Sequence, residues 1–212
     1  MVGHLSRAER VHFIGIGGVG VSAVARLFLL QNKPVTGSEE SLDSPIVSEL
    51  KRAGALIYRG HRARQVPQDT DLVIYSLAIP ETNPELRAAR RRGILVLSYP
   101  EILGLISKDK YTIAVAGTHG KTTTTAMIAS IFQAAKLDPT VIVGSLMSAG
   151  KTNLIIGQSR YFIVEACEYR ESFLNLSPQL LVITNIDNDH LDYYKNLPAI
   201  KKAFATLAAK VP

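Results

Sequence analysis

The chain has 212 residues, of which 47% are hydrophobic and 20% charged, with a formal net charge of +6. This composition is typical of a folded globular protein, and the length allows one large or two small domains. No apolar run reaches the ~18 residues of a membrane span, and the single cysteine, Cys167, excludes an internal disulfide, so we expect a cytoplasmic protein without membrane insertion.

The first predicted elements are a strand, a glycine-rich turn and a helix. Val11 to Ile16 has the apolar run of a buried strand, and Val19 to Leu30 has the length and apolar content of a helix. The turn between them fits GxGxxG, in which glycines allow a tight turn and a close approach to a diphosphate. Ser38, Glu39 and Glu40 follow where a dinucleotide-binding fold places its ribose-binding acid, so NAD is one candidate ligand.

Alternating elements continue along the first half of the chain. They are a helix over Ser44–Ala53, strands over Ala55–Tyr58 and Asp71–Ser76, a helix over Pro84–Arg92, a strand over Ile94–Leu97 and a helix over Pro100–Ser107. This alternation predicts an α/β fold with a Rossmann-like, doubly wound parallel sheet. We place a first domain at residues 1–107 and a second at 108–212.

The positive charge gathers in the helix that contains Arg87 to Arg92, which raises the question of nucleic-acid binding. Asn83 can cap this helix, Pro84 suits its first turn and Gly93 can end it. No aromatic residues interleave with the arginines, as a stacking platform for bases would require. We therefore interpret the segment as a solvated helix and expect no nucleic-acid binding.

The second half opens with AGTHGKTTTT, between a predicted strand at Tyr111–Ala116 and a predicted helix at Ala126–Ala135. Helix N-termini attract anions, and in phosphate-binding loops a lysine reaches the terminal phosphates while a hydroxyl ligates Mg²⁺. Lys121 and Thr122 have these residue types. The general pattern GxxxxGK[ST] fails because Val115 stands at its first glycine, and only the shorter GxxGKT remains.

Three further strands and a helix follow the loop. We expect strands near Thr140–Val143, Tyr161–Glu165 and Leu180–Thr184, and a helix over Pro198–Lys210. This order predicts a partial P-loop NTPase-like α/β domain that follows the first sheet. The chain then stops where another strand would be expected, so we expect this domain to be truncated.

Acids and a histidine follow the predicted strands of the second half. Glu165 lies at the carboxyl end of its strand and could hold Mg²⁺, although Glu168 competes for that role. Asn185, Asp189 and His190 follow the next strand, where oxygen ligands suit Mg²⁺ and the imidazole can ligate or donate to phosphate. The alternative is a polar loop that caps the next helix.

Three other histidines have no such neighbours in the sequence. They are His4, His12 and His61, and we assign them no chemistry.

Several segments in order resemble the Mur ligases. GIGGVGVS, SLAIPETNPEL, AGTHGKTTT, EACEYRESFLNLSP and TNIDNDHLDYY carry the resemblance, which runs along essentially the whole chain. It implies that the glycine loop binds the UDP part of UDP-N-acetylmuramic acid rather than NAD. It further implies ATP-dependent, Mg²⁺-assisted joining of L-alanine to the lactyl carboxylate of that sugar through an acyl phosphate, in peptidoglycan precursor synthesis.

The resemblance also assigns residues. Implied in catalysis are Lys121, Glu165 and His190. Implied in ATP binding are Gly117, Thr118, His119, Gly120, Lys121, Thr122, Thr123 and Asn185. Implied in UDP-sugar binding are Gly15, Gly17, Gly18, Gly20, Ser22, Ser38, Ser76, Ala78 and His119. Implied as metal ligands are Thr122, Glu165 and His190.

Mur ligases also carry the rest of the central domain and a C-terminal domain that contacts adenine and the amino acid. We expect this chain to lack them and to be an incomplete ligase with little turnover alone. Two alternatives stay open: a non-catalytic nucleotide-binding module or short form, and an NAD-dependent oxidoreductase that uses the GxGxxG loop.

Overall fold

The computed structural model describes residues 8–147 and 152–212. The chain divides into two compact units, Met1–Ile102 and Leu103–Pro212, each with one five-stranded sheet. The domain boundary that we placed at residue 107/108 stays a prediction. Among the described helices, none combines the length and the apolar content that crossing a membrane requires.

The first unit alternates strands and helices. Its elements are β1 (Val11–Ile14), α1 (Val19–Leu30), β2 (Val35–Glu39), α2 (Pro45–Arg52), β3 (Leu56–Arg59), β4 (Leu72–Tyr75), α3 (Pro84–Arg91), β5 (Leu95–Ser98) and α4 (Tyr99–Lys108), which continues into the second unit. The strand order is β3-β2-β1-β4-β5, and every pairing is parallel. This confirms the doubly wound parallel sheet, whose order reverses between β1 and β4.

Local signals in the sequence account for these helix starts. The Ser44 hydroxyl accepts a hydrogen bond from the N–H of Val47, which caps α2. The Asn83 side chain accepts from the N–H groups of Glu85 and Leu86, and Pro84 follows it at the first position of α3. Helices α2 and α3 therefore begin at capping residues that stand in the sequence directly before them.

The second unit has a mixed sheet. Its elements are β6 (Tyr111–Ala116), α5 (Lys121–Ala134), β7 (Thr140–Met147), β8 (Thr152–Ile155), β9 (Tyr161–Glu165), β10 (Leu180–Ile183) and α6 (Leu197–Ala208), with a 3₁₀ segment at Tyr169–Asn175. The order is β10-β6-β9-β7-β8, in which the first four strands are parallel and β8 runs antiparallel to β7. The sequence reasoning did not predict β8.

Helix α5 begins at Lys121 rather than at Ala126, the predicted start. Threonine is a poor former of helix interiors, which is why a run of four threonines does not predict helix. In the structure the Thr125 hydroxyl donates to the carbonyl of Lys121, 2.8 Å away, so a threonine satisfies its hydroxyl within the helix itself.

The parallel register of β6, β9 and β10 brings their carboxyl ends to one edge of the sheet. Ile183 is paired with Ala116, and Glu165 is paired with Val115. The loop after β6, the segment after β9 and the segment after β10 therefore meet at this edge, which is where parallel α/β sheets bind ligands. Below it, a core of Ile113, Val141 and Ile163 fixes the strands.

Candidate functional site

The loop after β6 has a backbone that requires glycine. Gly117 has φ 138° and Gly120, the N-cap of α5, has φ 83°, both in the left-handed region. A Cβ at Gly117 would lie 2.0 Å from the hydroxyl oxygen of Thr184. The loop thus packs its backbone against the segment after β10 and opens onto the N-terminus of a helix.

Side chains that follow β10 hold this loop in place. Asn185 accepts from the N–H of His119 at 3.0 Å and donates to the His119 carbonyl at 2.9 Å. The Thr184 hydroxyl donates to the same carbonyl at 2.6 Å, and the Thr118 hydroxyl accepts from the N–H of Asp187 at 2.9 Å. Asn185 is therefore a brace of the loop, and its contact with ATP stays a prediction.

Lys121 forms an ion pair with an acid that is almost fully buried. Its Nζ lies 3.0 Å from both carboxylate oxygens of Glu168, and that side chain is 2% exposed. The same Nζ donates to the carbonyls of Gly117 at 2.5 Å and Thr118 at 3.2 Å. The ammonium group therefore sits inside the loop, beside the backbone that would surround a phosphate.

Thr122 and Glu165, both predicted metal ligands, contact each other. The Thr122 hydroxyl donates to Oε2 of Glu165 at 2.9 Å, and the N–H of Gly144 donates to the same oxygen at 3.0 Å. Glu165 therefore orients the hydroxyl at the start of α5. The role of either residue as a metal ligand stays a prediction.

His190 lies beside Glu168 rather than among the contacts of Glu165. Its Nε2 is 3.8 Å from Oε1 of Glu168 and 3.9 Å from Oδ2 of Asp189, and one donor atom from each of these three residues lies within 4.8 Å of the others. The ring of Tyr169 lies against the imidazole, with centroids 4.7 Å apart and ring planes tilted by 43°. Glu168, which the sequence left as a competitor, is thus the acid that the structure places with His190.

The remaining residues of the loop after β6 differ in their exposure to solvent. His119, Gly120 and Thr123 are exposed, whereas Thr118 is buried with its hydroxyl engaged. Their contacts with ATP or the sugar substrate stay predictions.

The glycine loop of the first unit is shaped by close packing. Gly15 has φ 75°, and a Cβ there would lie 3.2 Å from Cβ of Ser76 at the end of β4. A Cβ at Gly20 would lie 2.4 Å from Cζ of Tyr99. The N–H of Gly17 donates to Oε2 of Glu39 at 2.7 Å.

Two serines predicted to contact the sugar nucleotide are fully buried. The Ser22 hydroxyl donates to the carbonyl of Val19 at 2.7 Å, one turn back in α1. The Ser38 hydroxyl donates to Oε2 of Glu85 at 2.5 Å. Each hydroxyl would have to leave these partners to reach a ligand, so their binding role stays a prediction. Gly18, the N-cap of α1, and the exposed Ala78 face fewer such constraints.

Beside these residues lies a cavity of about 390 Å³. It is lined by Glu40, His61, Ala78, Ile79, Pro80, Thr82, Asn83 and Pro84. His61 and His12, to which the sequence reasoning assigned no chemistry, both approach the buried Glu85: Nδ1 of His61 lies 3.1 Å from Oε2 and Nε2 of His12 lies 3.8 Å from Oε1.

The charge of Glu85 is set by this cluster. Burial, the largest influence, raises its pKa, but the nearby His12 imidazole and the hydrogen bonds with Ser38 and His61 together bring that pKa below its ordinary value. A histidine inside the apolar strand VHFI was the sequence signal for such a partner, since a buried polar side chain needs one.

Two family models match the chain. The model described as Mur ligase family, catalytic domain, matches residues 10–111, and the model described as Mur ligase middle domain matches residues 115–212. Together they account for nearly all of both units.

Curated relatives agree with these models. A UDP-N-acetylmuramate–L-alanine ligase of Clostridium tetani is 47% identical over 209 residues, which cover 98% of this chain and 45% of the relative. The ligase of the same name from Clostridium acetobutylicum is 46% identical over 97% of this chain and 44% of the relative. The chain thus spans less than half the length of these relatives.

Solved structures share the fold. The UDP-N-acetylmuramate:L-alanyl-γ-D-glutamyl-meso-diaminopimelate ligase of Neisseria meningitides aligns with a TM-score of 0.88 at 26% identity, over 97% of this chain and 69% of that one. The UDP-N-acetylmuramate-alanine ligase MurC of Thermotoga maritima aligns with a TM-score of 0.83 at 33% identity, over 95% of this chain and 47% of that one.

Proposed function

Because the chain belongs to the Mur ligase family, we propose that it serves the ATP-dependent joining of L-alanine to the lactyl carboxylate of UDP-N-acetylmuramic acid. The observation that carries the proposal is the buried pair of Lys121 and Glu168 inside a glycine loop, beside His190. Relatives at 46–47% identity that are named for this reaction support the choice of sugar and amino acid.

In this proposal the loop after β6 binds the ATP phosphates. Lys121 exchanges the carbonyls of Gly117 and Thr118 for the β and γ phosphate oxygens, which are better partners for an ammonium group. Gly120 is the N-cap of α5, and the N-terminus of this helix, which attracts anions, follows the loop directly. Both contributions stabilise charge that grows during phosphoryl transfer.

The donor set of the second unit fits Mg²⁺. Glu168 and Asp189 supply carboxylate oxygens and His190 an imidazole, and one donor atom from each of the three lies within 4.8 Å of the others. Thr122 and Glu165, which are hydrogen-bonded to each other, are the further metal ligands that we propose. Bound there, the ion would neutralise charge on the phosphates.

The first unit would bind the sugar nucleotide. Gly15, Gly17 and Gly18 follow β1 at the point where the strand order reverses, the usual place for a diphosphate in a doubly wound sheet. Ser76 and Ala78 follow β4 at the neighbouring strand end. We also keep His119 as a proposed contact to the reacting part of the substrate.

The reaction has two steps. A lactyl carboxylate oxygen attacks the γ phosphorus of ATP, the bond to the bridging oxygen breaks, and ADP leaves. The amine of L-alanine then attacks the acyl carbon, inorganic phosphate leaves with the bonding electrons, and the amine loses a proton. Lys121 holds the transferred phosphoryl group and offsets its charge in the first step.

Binding of ATP tests the phosphate loop. We expect the protein to bind ATP in the presence of Mg²⁺, as measured by calorimetry, and Lys121→Ala to weaken binding at least ~100-fold because a desolvated charge contact is lost. Lys201→Ala, which removes an exposed lysine of α6 in the same unit, is the matched control. Equal affinities of the wild type and Lys121→Ala would contradict the proposal.

Competition between ligands tests the glycine loop. UDP-N-acetylmuramic acid should bind, and excess UDP should displace it. Tight NADH binding that excess UDP-sugar does not affect would instead support the oxidoreductase alternative.

A further inference from the structure

We propose that Glu85 is a positioning residue of the sugar-nucleotide site, which keeps the hydrogen of the His61 ring on Nδ1 and so makes Nε2 a hydrogen-bond acceptor for the ligand. The inference rests on the proposed function only for the identity of that ligand. Glu85 lies in the first turn of α3, and its side chain is fully buried.

Two polar groups share one oxygen of Glu85 and also contact each other. The Ser38 hydroxyl donates to Oε2 at 2.5 Å, and Nδ1 of His61 lies 3.1 Å from the same oxygen. Nδ1 also lies 2.9 Å from the Ser38 oxygen. The hydroxyl hydrogen is used toward the carboxylate, so the serine oxygen faces Nδ1 as an acceptor.

The direction of these bonds follows from the charge of Glu85. The hydrogen bonds from its neighbours and its place in the first turn of a helix both favour the ionised carboxylate. An ionised carboxylate only accepts hydrogen bonds, so Nδ1 of His61 must be the donor. A neutral imidazole carries one hydrogen, and its Nε2 is then a bare acceptor.

The second oxygen of Glu85 faces His12. Nε2 of His12 lies 3.8 Å from Oε1 without a hydrogen bond, while Nδ1 of His12 lies 2.7 Å from the hydroxyl oxygen of Thr36. His12 and Glu85 are both fully buried. This side of the carboxylate is therefore enclosed by the core, and only Oε2 is available to the residues that reach the cavity.

Nε2 of His61 points to the cavity side. His61 lines the cavity with Ala78 and Ile79, and its Nε2 lies 3.5 Å from Oε1 of Glu40, whose side chain is 76% exposed. The charged or titratable groups that approach the ring among the described residues are thus Glu40 outside and Glu85 inside. Glu40 is free to move into solvent, so the bare nitrogen can accept from an N–H or O–H group of a bound nucleotide.

The position of the ring hydrogen can be measured without a ligand. Nitrogen-15 NMR of the histidine side chains distinguishes a protonated ring nitrogen from a bare one, and at about pH 8 an ordinary histidine is neutral. We expect the hydrogen of His61 on Nδ1 in the wild type. In Glu85→Met, which has no acceptor oxygen, the Ser38 hydroxyl can donate to Nδ1 and the hydrogen should move to Nε2. A wild-type ring with hydrogen on Nε2, or on both nitrogens, would overturn the proposal whether or not the variant folds.

Binding of UDP then tests the functional consequence. By calorimetry, Glu85→Met should weaken UDP binding about tenfold or more, since an acceptor opposite a ligand donor becomes a second donor. The matched control is Glu49→Met, the same change at a half-exposed acid on α2 that pairs with Arg26, and it should bind UDP like the wild type.

A double variant separates positioning from packing. In the His61→Ala background, Glu85→Met should cause no further loss of UDP affinity, because Glu85 acts through the missing ring. An equal loss in both backgrounds would show a packing effect and overturn the proposal. Absence of UDP binding by the wild type would contradict the proposed function, while the NMR result would still decide the arrangement of Glu85 and His61.

Discussion

Each of the two units presents a glycine loop after an interior parallel strand of its sheet, but the two loops are stabilised differently. In the first unit the loop is fixed by packing at Gly15 and Gly20 and by a bond from Gly17 to Glu39. In the second unit the loop is fixed by the side chains of Thr184 and Asn185, which come from a much later segment. Steric packing mainly fixes the loop of the first unit, whereas side-chain hydrogen bonds mainly fix the loop of the second unit.

The loops also differ in charge. The loop at residues 15–20 has no charged side chain of its own, whereas the loop at residues 117–122 contains Lys121, paired with the buried Glu168. A neutral loop suits a diphosphate that is held but not changed. A loop with a lysine suits a phosphate on which charge develops during transfer.

The largest expected effect comes from breaking this charge pair. Lys121→Ala leaves Glu168 buried without its cation, which should lower the free energy of unfolding of the second unit by about 3–5 kcal/mol. Urea denaturation, with hydrogen exchange to assign the loss to residues 103–212, measures it. Adding Glu168→Gln to Lys121→Ala should recover much of the lost free energy of unfolding. A Lys121→Ala variant as stable as the wild type would show that the charge pair does not distinguish the two loops.

Substitution of loop glycines comes next. Gly117→Ala forces a Cβ against Thr184 at a left-handed φ, which should cost about 2–4 kcal/mol. Gly18→Ala is the control, since its Cβ would lie 3.5 Å from the carbonyl oxygen of Gly15 in ordinary contact. Thermal unfolding of both variants checks this, and similar losses would mean that the close approach at Gly117 relaxes.

The braces themselves should have smaller effects. Asn185→Ala removes two hydrogen bonds to the backbone of His119, and Glu39→Ala removes one charged bond to Gly17. Each should lower stability by about 1–2 kcal/mol. Hydrogen exchange distinguishes the two variants. Asn185→Ala should speed amide exchange only in the loop of the second unit, and Glu39→Ala only in the loop of the first unit. Loosening of both loops by either variant would contradict independent bracing.

The smallest expected effect is acid sensitivity of the first unit. Because the pKa of Glu85 is below its ordinary value, its contribution to stability is complete above about pH 4.3 and is lost as the pH falls through the lower folded pKa. Glu85→Gln should therefore show a shallower loss of unfolding free energy between about pH 4.5 and 3 than the wild type. Parallel pH profiles would show that Glu85 titrates alike in folded and unfolded chains.

Most elements could be predicted because their signals are local. Periodicity and capping residues such as Asn83 and Pro84 located the strands and helices of the first unit. Strand β8 was missed because TNLI is short and its partner β7 decides its conformation. The start of α5 was missed because the Thr125 hydroxyl bonds within the helix and the Thr122 hydroxyl bonds to Glu165, which composition does not reveal.

The site was only partly predictable because its contacts cross long stretches of sequence. The loop and Lys121 are contiguous in AGTHGKTTTT, so the sequence identified them. The preference of His190 for Glu168 over Glu165 depends on how the chain turns after β9. The approach of His12 and His61 to Glu85 depends on sheet register, which no single segment encodes.

The hydrogen bonds from Asn185 to the loop of the second unit also determine when, during synthesis of the chain, that loop can be stabilised. His119 and Asn185 lie 66 positions apart. At the ~5–20 residues per second of translation, the loop emerges roughly 3–13 s before its brace. The first unit has all five strands by Ser98 and can fold while the second is still being made. During synthesis, β6 therefore emerges before its partner strands β9 and β10, and in this interval its unpaired edges are exposed to wrong strand partners.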